Sequence, residues 1–110
     1  MEIVTDKRDG KHIISVKGRL DATTSPELER ALLTALDAGE KDYIADLAGL
    51  EYISSVGLRV LLMAAKKAKA SGGKVVLCSL NDHVREVFEI AGFTAIFPIF
   101  DGVDEALTGF

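Results

Sequence analysis

Two adjacent hydroxyls, Ser54 and Ser55, stand where a helical pattern begins, and no other residues in this chain are better placed for chemistry. A helix start leaves its first backbone N–H groups without partners and is the positive end of the helix dipole. Such a spot stabilises an oxygen acceptor or an added phosphate. Ser54 has an ordinary use there as the N-cap. Ser55, one residue further, sits on the first turn with no structural task. The other reactive side chains offer less. His12 falls in a strand pattern and His83 at a helix start, neither with a carboxylate or cysteine at metal-ligand spacing. The single cysteine, Cys78, lies inside the apolar run Val-Val-Leu-Cys-Ser-Leu and reads as a small core residue. There is no Walker-type loop, GxGxxG, CxxC or HExxH, and Ser55 lacks the G-x-S-x-G setting of a nucleophile elbow. The expectation is a protein that is not an enzyme, with no metal and no cofactor.

The elements that must position the serines follow from periodicity. In residues 42–70 a short apolar run, 43–47, reads as a buried strand; a turn over 48–53 leads into a helix running from Ser54 or Ser55 to about Ala70. Leu58, Leu61, Ala65 and Ala68 form the buried stripe of that helix, and Val56, Arg59, Met63, Lys66 and Lys67 lie on its outer side, beside Ser55. Met63 is an apolar residue among positive charges, suited to adaptable protein contacts. Val56, Arg59 and Met63 are therefore candidate partner-binding residues.

Upstream, residues 3–5 and 12–16 are β-type runs, and the Asp-Gly between them signals a hairpin. A helix follows with Leu28, Ala31, Leu32, Ala35 and Leu36 inward and Gly39 as its stop. Its start has two rival registers, Ser25 as N-cap before Pro26 or Thr24 and Glu27 as a capping box. Downstream, 74–80 reads as a strand buried on both faces. Asn81 caps a helix with Val84, Val87, Phe88 and Ala91 inward, and Gly92 closes it. Residues 96–100 read as a strand that Pro98 confines to an edge, and Asp101 caps a terminal helix through Leu107. The order predicts an α/β fold: a mixed sheet, an N-terminal hairpin then β-α repeats, with about four helices packed against it. A receiver domain phosphorylated at Asp46 is excluded because such a fold opens strand–helix–strand, not with a hairpin.

These segments carry a resemblance. GRLDATTSPELE followed by DLAGLEYISSVGLRVLL resembles the STAS domain of anti-sigma factor antagonists, the anti-anti-sigma proteins of bacterial partner-switching systems. The likeness extends over residues 1–110, through SLNDHVREVFEIAGF and FDGVDEAL. It implies a single STAS-like domain and places the family's phosphoacceptor on Ser55, with Ser54 where many members carry Asp. It also implies a switch. The unphosphorylated protein binds an anti-sigma factor that is a serine kinase, so the sigma factor is released; the kinase phosphorylates the serine, and a serine phosphatase reverses the step. Asp21 matches the acidic residue of the family's GxLD segment, next to the partner-binding face that Ser54 borders. Glu51 and Tyr52 are weaker candidates. Two other readings stay open at this point: a STAS-type accessory subunit that binds its partner constitutively, and a weak small-nucleotide-binding module.

Composition agrees with a protein-binding role. At 110 residues, 48% hydrophobic and 27% charged, the chain can bury a core without disulfides or metal. The net charge of −4 leaves no basic stripe for nucleic acid. One cysteine suits a reducing compartment, and the charged, alternating start is neither signal peptide nor membrane span, so the expected location is cytoplasmic. The sequence leaves the oligomeric state open between monomer and weak dimer.

Overall fold

A computed structural model describes residues 1–110. The chain begins with β1 (Glu2–Arg8) and β2 (Lys11–Leu20), antiparallel and joined only by Asp9 and Gly10. Both turn residues have positive φ, +53° and +78°, as a tight two-residue hairpin requires. The strands are longer than the apolar runs suggest. Asp6, Lys7 and Arg8 continue the ladder because β1 is an outer strand and its charges stay in water.

The remaining elements are α1 (Ser25–Asp37), β3 (Asp42–Asp46), β4 (Leu50–Ile53), α2 (Ser55–Ala70), β5 (Lys74–Cys78), α3 (Asp82–Ile90), β6 (Ile99–Phe100) and α4 (Val103–Gly109). A single 3-10 turn at Phe93–Ala95 precedes β6. The six strands form one mixed sheet in the order β1-β2-β3-β5-β6, with β4 alongside the far end of β2. Only β1 runs antiparallel to its neighbour; every other pairing is parallel.

β5 shows how the layers are built. Val75 and Leu77 join a 21-residue core with Leu28 and Leu32 of α1, Leu61, Ala64 and Ala68 of α2, and Val84 and Phe88 of α3. Val76 and Cys78 point the other way, onto Ile13, Ile44 and Ala106 of α4. Three helices therefore cover one face and α4 covers part of the other. Each fully buried leucine in these layers contributes about 1.5–3 kcal/mol relative to exposure. Cys78 has no solvent exposure, and burial raises its thiol pKa to about 11, so it is an inert core residue.

Several local expectations are corrected. The turn over 48–53 contains β4, whose Leu50 and Ile53 are buried and whose pairing partners, Gly18 to Leu20, lie far upstream in β2. Thr24 holds the N-cap position of α1, as one of the two registers had it, but no side chain caps the helix, and the Ser25 register fails. Thr24 spends its hydroxyl on Arg19 and Asp21, and Ser25 lies inside the helix. Asp101 caps nothing, since Gly102 precedes α4. β5 ends at Cys78 because Ser79 turns to φ +64°. The last strand shrinks to two residues, as Phe97 dips into the core against Phe88 and Phe93. Ala91 is exposed, and Ala64 takes the place of Ala65 in the buried stripe. The edge position of Pro98 holds: β6 ends the sheet, and the Pro98 carbonyl accepts from Leu77 N–H at 2.9 Å. No helix is long and apolar enough to cross a membrane.

Candidate functional site

The site is assembled where β2 and β4 end side by side. Leu20 pairs with Ile53, and Ser54 N–H donates to the Leu20 carbonyl at 2.9 Å. Asp21 and Ser54 are the residues that follow, so the two sequence segments meet at one end of the sheet. The β2–β4 register shifts between Gly18 and Arg19, with Glu51 of β4 as the extra residue, and Gly18, with φ +95°, stands where β2 leaves β1 for β4.

Ser54 caps α2. Its backbone is extended, its Oγ accepts from Gly57 N–H at 3.2 Å, and its carbonyl accepts from Leu58 N–H at 3.0 Å. Ser55 is the first helical residue, exposed, with its hydroxyl in no hydrogen bond. The division of labour between the serines is thus visible in the geometry. Ser54→Ala should lower stability by about 1 kcal/mol through loss of the cap; urea denaturation measures this, and a loss well under half that would contradict the capping role.

Gly57 has a role that sequence reading did not separate from the motif. A Cβ there would lie 2.8 Å from Leu20 Cγ and 3.0 Å from Ile53 Cγ1. Only glycine lets the first turn of α2 sit this low on the ends of β2 and β4, and that depth fixes the height of Ser55.

Asp21 proves to be a loop organiser. Its carboxylate accepts from Thr23 N–H at 3.0 Å and Thr24 N–H at 3.1 Å, with the Thr24 hydroxyl at 3.2 Å. The Thr24 backbone hydrogen bond, chiefly, holds its pKa below the ordinary value. Tyr52 does not enter the core; the Arg19 guanidinium lies over its ring at 4.3 Å, a cation–π contact between paired strand residues. Glu51 is exposed on β4.

Val56, Arg59 and Met63 come together as expected. With Ser25, Pro26, Glu29 and Val60 they line a shallow cleft of about 300 Å³ between α1 and α2. Arg59 is exposed and forms no ion pair, as the two salt bridges of the protein are Lys7–Glu40 and Arg8–Asp104. Met63 is less free than the sequence suggests, half-buried against the main core. His12 lies on β2 and His83 on α3, and no three His, Cys, Asp or Glu side chains cluster as a metal site would.

The arrangement is therefore a free hydroxyl at a helix N-terminus, bordered by an apolar and cationic helix face, on a small α/β scaffold. The chain belongs to the STAS domain family, whose model matches residues 2–106. It is 43% identical over 110 residues to BtrV of Bordetella bronchiseptica, described as an anti-sigma factor antagonist, covering 100% of this chain and 95% of that protein. The crystal structure of an anti-sigma factor antagonist from Mycobacterium paratuberculosis superposes with a TM-score of 0.90 at 27% identity, over 98% of this chain and 92% of that one. The Bacillus cell fate determinant SpoIIAA in its phosphorylated form shares the fold, with a TM-score of 0.78 at 19% identity over 97% of both chains.

Proposed function

We propose that this protein is an anti-sigma factor antagonist switched by phosphorylation of Ser55. The unphosphorylated form binds an anti-sigma factor that is also a serine kinase, and the sigma factor is released. That kinase places a phosphate on Ser55 and ends the binding; a serine phosphatase restores it. The protein acts by binding and is not an enzyme. A kinase that draws on ATP places the switch in the cytoplasm.

One observation carries the reading: Ser54 does the capping, so the hydroxyl of Ser55 stays exposed and unengaged on the first turn of α2. The names of the relatives support the antagonist role, and the surface supports the partner contact. Ser54, Val56, Arg59 and Met63 form the contact face, and Asp21 shapes the loop beside it. Incubation with the cognate kinase and ATP, followed by phosphopeptide mapping, should find the phosphate on Ser55 and nothing on the Ser55→Ala protein. A phosphate on Ser54 would move the acceptor by one residue. No phosphate at all, with binding intact, would favour a constitutive accessory subunit.

Arg59 is the cleanest probe of the contact face, because it is exposed and unpaired whereas Met63 also supports the core. Arg59→Glu should weaken partner binding about tenfold or more with the melting temperature nearly unchanged, since a charge reversal at an interface disfavours binding and exposed positions tolerate substitution. Calorimetric titration beside a thermal melt reads both quantities, and unaltered affinity would remove this ridge from the interface.

A further inference from the structure

β1 is the outer strand of the sheet, seven residues long, with only Ile3 partly sheltered. The hairpin turn sets which of its backbone groups face outward. A two-residue turn closes on a hydrogen-bonded pair, here Arg8 and Lys11, and bonded and non-bonded pairs then alternate. Glu2, Val4, Asp6 and Arg8 therefore bond β2, while Ile3, Thr5 and Lys7 turn their N–H and C=O groups to the outside. Lys7 fits this phase, because its N–H is taken up by its neighbour's carboxylate, Asp6 Oδ1, at 2.8 Å.

We propose that two copies of this chain pair through β1, antiparallel about a two-fold axis at Thr5, and so continue the sheet from one copy into the other. The outward phase permits axes through bonded pairs at Ile3, Thr5 or Lys7 and through non-bonded pairs at Val4 or Asp6. An axis at Val4 sets Glu2 against Asp6 of the second copy, and one at Asp6 sets Asp6 against Asp6, like charges opposite each other. An axis at Ile3 engages no more than Glu2, Ile3 and Val4, and one at Lys7 sets Lys7 against Lys7. The axis at Thr5 pairs the whole strand. Thr5 meets Thr5, and Ile3 meets Lys7 of the second copy, all as hydrogen-bonded pairs. Glu2 meets Arg8 of the second copy at both ends, in the non-bonded positions where side chains approach most closely.

The surroundings fit this partner. Arg8 and the Asp104 it contacts at 3.2 Å are both exposed, so the guanidinium is free to share a second carboxylate. Val4, 49% exposed, gains the cover of the second copy's Asp6 stem. A cleft of about 610 Å³ is lined by Ile3, Thr5 and His12 on the sheet and by Glu27, Arg30 and Thr34 of α1. A second copy abutting β1 lies across its open side. Asp6 opposes the pairing, because its carboxylate occupies the Lys7 N–H; the association is therefore weak and concentration-dependent. Ser55, Arg59 and Met63 lie on α2, outside the pairing, so a dimer presents both copies of that surface, and the inference does not rest on the proposed function.

Sedimentation equilibrium from about 10 μM to about 1 mM, the range of weak association, tests it. The protein should show a reversible dimer, and Asp6→Ala should tighten it about fivefold or more by freeing two N–H groups. Glu2→Arg should weaken it about two- to thirtyfold by setting like charges opposite at both ends, and the double variant Glu2→Arg/Arg8→Glu should recover it. All these positions are exposed, and a thermal melt of each variant establishes that it is folded. Monomers throughout in both the natural protein and Asp6→Ala, or a dimer indifferent to the Glu2 and Arg8 exchange, would overturn the proposal.

Discussion

Leu20→Ala is expected to lower stability by about 2–5 kcal/mol, among the largest single effects in this fold. Leu20 has no solvent exposure, ends β2, and stands under the first turn of α2, where its carbonyl also holds Ser54 N–H. Gly57→Ala should destabilise too. A helix normally gains about 1 kcal/mol when glycine becomes alanine, but forcing an extra carbon into a filled site costs about 1–3 kcal/mol. Here the added Cβ would stand 2.8 Å from Leu20 Cγ, so the steric cost wins. The two changes are therefore linked. In the Leu20→Ala background the collision is relieved, and Gly57→Ala should become neutral or stabilising. Urea denaturation of the four proteins gives the interaction, expected at about 1 kcal/mol or more. Strict additivity would mean that Gly57 is not there to make room for Leu20.

Phosphate on Ser55 should leave the fold intact and abolish partner binding. At the helix N-terminus the phosphate meets the unpaired N–H groups of the first turn and the positive end of the dipole, so the isolated domain accommodates it. A charge of about −1.5 to −2 then sits on the face that a partner must cover. An interface over Ser55 has to strip water from that charge, and an uncompensated buried charge costs several kcal/mol. With about 1.4 kcal/mol per tenfold in affinity, the expected loss is about a hundredfold or more. Ser55→Ala should bind constitutively and Ser55→Asp should fold normally but bind poorly. Circular dichroism melts alongside binding curves separate the two effects.

Much of the architecture was legible because its causes are local. Asp9-Gly10 fixed a hairpin through positive φ, and the run Val75 to Cys78 announced a strand buried on both faces. Ser54 and Asn81 each read correctly as caps, since a short side chain before an apolar helix has few other uses. The failures share a cause as well. β4 is four residues long, and what makes it a strand is Leu20 and its neighbours, far away in sequence. Its buried Leu50 and Ile53 were the available signal, set three apart rather than in strict alternation. Thr24 and Ser25 looked like side-chain caps, but Asp21 folds the loop back on itself and claims the Thr24 backbone. Asp101 failed for a similar reason, because the chain starts α4 two residues later.

At the site, the serines, Val56 and Arg59 could be placed from the sequence because one helix carries them all. The closeness of Asp21 was legible only through the family resemblance, since its geometric cause is that β2 and β4 end together. The seat of Arg19 on Tyr52 and the tight fit of Gly57 were not legible, as both arise across strands.

The most direct test of the switch is a calorimetric titration of the cognate anti-sigma factor with two homogeneous samples, one unmodified and one carrying phosphoserine at position 55. The unmodified protein should bind at micromolar affinity or tighter and the phosphorylated one about a hundredfold more weakly, with equal melting temperatures within a few degrees. Equal affinity for both samples would contradict the account.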